Sequence, residues 1–175
     1  MESVVPVVVI TGTIGVGKTT VATAMSEILH ERGIRHGILE VDWLGEVYPA
    51  PYPDDPYSTS FAMQNLAAIW PNYLEVGITR AIVTMTLENH QELEGLRTAL
   101  SSPNLTVVRL EASTDTRAAR IKHRELGNLL NLFLEKTDPL AAKMKRFGIG
   151  DLVVDNDHRT PQEVAEEVLT SIGWI

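Results

Sequence analysis

Residues 4–11 read V-V-P-V-V-V-I-T, a run of β-branched residues with no polar alternation. Such a run predicts a strand buried on both faces. Residues 19–32 then place apolar positions at helical spacing, and Gly33 stops the pattern. A second short strand covers 37–41 and ends at Asp42. Residues 43–57, rich in Pro and Tyr, predict a loop, and a helix begins near Ser58 that Pro71 breaks or kinks. Further strands fall over 80–87, 105–110 and 151–154, separated by helices over 90–100 and from about 114 to 126. Residues 128–147 read as helical in pieces, interrupted near Asp138-Pro139. The last helix opens on Thr160-Pro161-Gln162-Glu163, which supplies an N-cap, an N1 proline and a capping-box acid together. Strands alternating with helices predict an α/β fold of three layers, a five-stranded parallel sheet covered on both faces.

Composition narrows the setting. The chain has 175 residues, 44% of them hydrophobic and 22% charged, which suits one soluble domain spanning 1–175. No apolar run is long enough to cross a bilayer, and Met1-Glu2-Ser3 lacks the basic start of a signal peptide. There is no cysteine, which excludes disulfides, thiolate metal sites and cysteine nucleophiles. These features lead to the expectation of a cytoplasmic protein without a membrane partner. The net charge of −8 repels polyanions and argues against a nucleic-acid binder. The charges are uneven, however: eight of the 15 Lys and Arg lie between residues 117 and 146.

The chemistry is concentrated in residues 12–19, G-T-I-G-V-G-K-T, between the first strand and the first helix. The spacing fits G-x-x-x-x-G-K-[ST], a loop whose backbone N–H groups turn inward on phosphate oxygens. The helix that starts near Lys18 adds its positive dipole end. Gly12, Thr13, Ile14, Gly15, Val16, Gly17, Lys18, Thr19 and Thr20 are therefore the candidate ATP-binding residues. Lys18 is expected to reach the β- and γ-phosphates and Thr19 to ligate Mg²⁺. The loop alone does not fix a reaction. An N-K-x-D base-reading motif and an L-S-G-G-Q signature are both absent from the sequence. Small-molecule phosphotransfer is then the leading class.

In order along the chain these segments resemble the small P-loop kinases of the gluconate, shikimate and adenylylsulfate kinase group, with the nucleoside monophosphate kinase-like fold. The resemblance rests on the glycine loop, on Asp42 after the second strand, on T-L-E-N-H-Q-E-L-E-G-L-R at 86–97, on R-L-E-A-S-T-D-T-R-A-A-R-I-K-H-R-E at 109–125, and on V-V-D-N-D at 153–157. Asn89 stands where gluconate kinases tend to have lysine. The resemblance implies a P-loop NTPase fold with an acceptor-binding region near 43–76 and a lid near 120–147. It implies that Asp42 meets the acceptor hydroxyl, that Arg120 and Arg124 are lid arginines, and that Asn156 lies in the loop touching adenine.

Physical reading of the same residues adds detail. Ligands in an open parallel sheet sit beyond the carboxyl ends of the strands, which places Asp42 beside the phosphate loop as base, as substrate contact or as Mg²⁺ partner. A loop aspartate capping a turn would occupy the same position. Glu88 follows the third strand and either orients metal water or substrate, or simply favours a helix N-terminus. Arg117, Arg120 and Arg124 share one helix face and suit phosphate oxygens or solvent ion pairs. Lys143, Lys145 and Arg146 read as a solvated face, with a role in the lid as the alternative.

From residue 37 to 79 there is no Lys, Arg or His, while seven of the ten aromatics fall there. Anion-binding kinases use arginine forks, so this region predicts a neutral or cationic acceptor, with Trp43 and Tyr48 as its aromatic contacts. Arg80 and Arg97 are the nearest cations able to reach in. The candidate catalytic set is Lys18, Asp42, Arg120 and Arg124; Asp42, Trp43, Tyr48 and Glu88 bind the acceptor. A nucleotide-binding regulator or accessory protein without kinase chemistry is the alternative.

Overall fold

The computed structural model describes residues 4–55, 57–101, 104–125 and 127–175. The elements run β1 (Val7–Thr11), α1 (Lys18–Glu31), β2 (His36–Glu40), α2 (Val41–Leu44), α3 (Thr59–Glu75), β3 (Arg80–Thr84) and α4 (His90–Ala99). They continue with β4 (Leu105–Glu111), α5 (Thr114–Arg124), α6 (Asn128–Arg146), β5 (Leu152–Asp155) and α7 (Pro161–Ser171). The five strands form one sheet in the order β2-β3-β1-β4-β5, and every pairing is parallel.

The period of two along β1 divides the core. Val7 and Val9 pack with Leu66 and Trp70 of α3 and Leu96 of α4. Val8 and Ile10 face the other way, onto Met25 and Leu29 of α1 and Val164 and Val168 of α7. All five residues of β1 are buried, as a central strand with helices on both sides requires. Because β1 lies between β3 and β4, its carboxyl end is the point where the connections diverge, and a crevice opens there.

The structure departs from the sequence expectations in several places. β1 begins at Val7 rather than residue 4, because Pro6 has no N–H to give the ladder. The Pro6 carbonyl still accepts from Ala81 N at 3.0 Å. α3 and α6 run through Pro71 and Pro139 without a break. Both prolines are exposed, so the carbonyls they leave unpaired one turn earlier face water. β2 ends at Glu40, and Asp42 sits in the single turn of α2 instead of the strand end. α5 closes at Arg124; the expected end at 126 lies outside the described residues. The α7 capping box forms as expected, with Thr160 Oγ1 accepting from Glu163 N at 3.3 Å and Glu163 Oε2 from Thr160 N at 2.8 Å. No helix among the described residues is long and apolar enough to cross a membrane.

Candidate active site

The loop between β1 and α1 is bent by residues that only glycine tolerates. Gly12 has φ 144°, and a Cβ there would sit 2.8 Å from the Leu110 carbonyl. Gly17 is the N-cap of α1 with φ 101°, and no side chain caps that end. The helix therefore keeps its first N–H groups free of side-chain partners, the arrangement that receives anions. By contrast Asn89, Ser113 and Thr160 close α4, α5 and α7 with side-chain caps. Lys18 folds back over the loop, its Nζ donating to Gly12 O at 2.9 Å and Thr13 O at 3.4 Å. Burial pulls the Lys18 ammonium below its ordinary pKa; Asp42 pushes it back up, Arg124 lowers it, and Glu40 raises it. Thr19 and Thr20 are exposed at the first turn of α1, and the Thr19 hydroxyl donates to the Glu40 carboxylate.

The loop is held from behind by α6. Thr13 Oγ1 donates to Thr137 O at 2.9 Å, and Thr137 Oγ1 donates to Ile14 O at 2.8 Å. Arg117 Nε donates to Thr137 Oγ1 at 3.2 Å, and its other nitrogens bind Ala112 O and Asp138. Thr137 is 1% exposed, so this hydroxyl cannot exchange its partners for water. Thr137→Val, which keeps the shape and removes the hydroxyl, is expected to cost about 1–3 kcal/mol by leaving buried groups unpaired. Urea denaturation measures that loss, and a looser nucleotide Kd accompanies it.

The three arginines of α5 separate in role. Arg117 is buried in the anchor just described. Arg120 donates from Nη1 to Val16 O at 3.0 Å and from Nη2 to Asn156 O at 2.9 Å. Asn156 is buried and donates to the same Val16 carbonyl at 2.6 Å. Arg120 and Asn156 thus brace the loop beside its last turn. Arg124 is exposed, pairs with Glu125 at 2.6 Å, and lies near enough for its charge to act on Lys18.

A cleft of about 1110 Å³ opens beside the loop, touching Ile14, α3, α4 and α6. Asp42 stands on its wall, accepting from Thr86 N at 3.1 Å and Thr86 Oγ1 at 3.0 Å. Among the described residues, seven carboxylates line the cleft: Asp42, Glu46, Asp54, Asp55, Glu88, Glu92 and Glu135. The two cations there, Lys136 and Lys143, come from α6. Lys143 is exposed, as a solvated face requires, and it also lines the cleft. Its Nζ meets Glu88 Oε2 at 2.6 Å, a contact that raises its pKa. Lys136 donates to Tyr57 OH at 2.9 Å and lies 4.8 Å from the centre of that ring. Burial pushes the Glu92 carboxyl above its ordinary range, against the hydrogen bond it accepts from Glu88 N.

Trp43 and Tyr48 do not join this cleft. They are 69% and 100% exposed and absent from its lining, where Tyr57 stands instead. Arg80 lies over the Trp174 ring at 5.4 Å, and Arg97 pairs with Glu94 at 3.5 Å, so neither reaches in. Sequence reasoning gives Glu40 no role, although it precedes Asp42 by two and faces Thr19. Lys136 has no sequence signal of its own either.

These features define an α/β domain with a glycine-rich loop of phosphate-binding type and a cleft beside it. The sequence pattern of the family described as AAA domain matches residues 8–128, and the chain belongs to that family. Its fold is shared with small P-loop kinases. A shikimate kinase from Bacteroides thetaiotaomicron superposes with TM-score 0.68 at 13% identity, covering 96% of this chain and 98% of that one. A sugar kinase from Janibacter sp. HTCC2649 gives TM-score 0.64 at 19% identity, with coverages of 97% and 95%. A gluconokinase from Sinorhizobium meliloti 1021 gives 0.58 at 22%, with coverages of 97% and 92%. No curated protein matches the sequence.

Proposed function

We propose that the chain is an ATP- and Mg²⁺-dependent phosphotransferase that moves the γ-phosphate to a hydroxyl of a small neutral or cationic molecule. The observation that carries this reading is the placement of Asp42. Its carboxylate lines a cleft large enough for an acceptor and acts electrostatically on Lys18 of the phosphate loop. Neighbours named as shikimate, sugar and gluconate kinases support hydroxyl phosphorylation as the reaction class.

The loop suits a triphosphate, since α1 starts without a side-chain cap and Gly12, Gly15 and Gly17 hold the positive φ that turns loop N–H groups toward phosphate oxygens. Thr19 and Glu40 offer oxygen donors to Mg²⁺, with Asp42 nearby for a metal-bound water. When bound, Mg²⁺ neutralises phosphate charge. Lys18 holds the transferring phosphate and stabilises its developing charge. Asp42, fixed by two hydrogen bonds from Thr86, orients the acceptor hydroxyl and takes its proton. Arg124 is free to turn from Glu125 toward the phosphates when the lid region moves.

Charge supports the acceptor class. Shikimate and gluconate are carboxylates, whereas seven carboxylates line this cleft and its two lysines are already engaged. An ATP-consumption screen over neutral, cationic and anionic hydroxyl compounds is expected to rank neutral or amine-bearing acceptors first. A phosphorylated nucleotide or sugar acid winning by a wide margin would refute the charge argument.

A further inference from the structure

α6 borders two cavities. The acceptor cleft takes Lys136, Leu140 and Lys143; a second cavity, of about 220 Å³, takes Ala141, Ala142, Met144 and Lys145. Its opposite wall is the carboxyl end of β4, with Arg109 and Glu111, together with Arg117 of α5. Three cations and one acid therefore line it, in a chain whose net charge is −8.

The three cations differ in how far they are satisfied. Arg117 is committed to Thr137, Ala112 O and Asp138. Arg109 is not. It is 8% exposed, its Nη1 meets Glu111 Oε1 at 2.9 Å, and its buried Nε has no partner among the described residues. A guanidinium N–H withdrawn from water without an acceptor is costly, and folded proteins answer such groups with a water or an ion. The Glu111 contact engages Nη1 alone, so the guanidinium that borders the cavity keeps donor capacity of the kind arginine uses with phosphate. Lys145 makes no ion pair among the described residues. Ala141 and Ala142 leave room between the two walls. The cavity is smaller than the roughly 300–1,000 Å³ pockets that enclose drug-sized ligands, and so suits a single compact anion.

We propose that this pocket is a second anion site, which takes a phosphate group, free or as a monoester, on Arg109 and Lys145. A dianion held there ties β4 to α6. α6 also carries Thr137 onto the phosphate loop and Lys143 into the acceptor cleft, so occupancy bears on both.

The test is a titration of the full chain with inorganic phosphate, and separately with glycerol 3-phosphate, followed by ¹H–¹⁵N NMR. The phosphate loop is first filled with a non-hydrolysable ATP analogue and Mg²⁺. Saturable shifts are expected at the amides of Arg109, Ala141, Ala142 and Lys145. Arg109→Met should weaken binding about tenfold or more, and Lys145→Ala about threefold or more, as expected for lost charge-assisted contacts. Glu111→Gln should tighten it by removing the competing carboxylate. Saturation by free phosphate alone identifies the free ion as the ligand, and by the ester alone a monoester. Either supports the site. No saturable shift with either compound overturns it, as does binding insensitive to both Lys145→Ala and Glu111→Gln. Those two side chains are exposed, so their variants keep the test decisive even where Arg109→Met fails to fold.

Discussion

Lys18→Ala is expected to lower phosphotransfer by about a thousandfold, the scale seen when one preorganised donor to a developing anion is removed. The side chain is held over the loop by the Gly12 and Thr13 carbonyls, so its ammonium is already aimed before phosphate arrives. Burial strips water from it, which is why its pKa falls despite two nearby carboxylates. An ammonium in that setting interacts with phosphate more strongly than one in bulk water. Alanine is a good residue at the first turn of α1, so the fold should persist. The rate with the best acceptor and a thermal melt measure the two effects. A rate within tenfold of the wild type would remove Lys18 from the chemistry.

Asp42→Asn is expected to reduce kcat by about a hundredfold or more, the range for loss of a positioned general base, while the nucleotide Kd stays within about threefold. Asparagine keeps an oxygen to accept from Thr86 N, so the turn of α2 survives and the change falls on the proton acceptor. Single-turnover rates and nucleotide titrations separate the two quantities. A parallel loss of nucleotide affinity would make Asp42 a metal or loop residue instead.

Much of the fold was legible because its signals are local. The apolar run of β1, the glycines before Lys18 and the Thr160–Glu163 cap each act within a few residues, and the structure realises all three. The order β2-β3-β1-β4-β5 joins those local pieces in the way parallel strands with crossover helices allow. The unbroken α6 was not legible, since a proline's effect depends on whether its face meets water, and Pro139 is exposed. The cleft was only half legible. Asp42, Glu46, Asp54 and Asp55 lie close together in sequence, whereas Glu135, Lys136 and Lys143 arrive from α6, the two lysines joined to the cleft through Tyr57 and Glu88. Trp43 lies in the single turn of α2 and Tyr48 just beyond it, too short a stretch for a period to dictate which side chains turn inward, and both turn out. Arg117 and Arg120 share the helical spacing of Arg124, but burial gives the first to Asp138 and the second to the Val16 carbonyl. Spacing alone does not distinguish them.

The most direct measurement follows the γ-phosphate itself. With γ-³²P-labelled ATP, Mg²⁺ and a pool of neutral and amine-bearing hydroxyl compounds, label is expected in an acceptor and is lost in both Lys18→Ala and Asp42→Asn. Label appearing only in inorganic phosphate, at a rate unchanged by Asp42→Asn and by any acceptor, would contradict phosphotransfer.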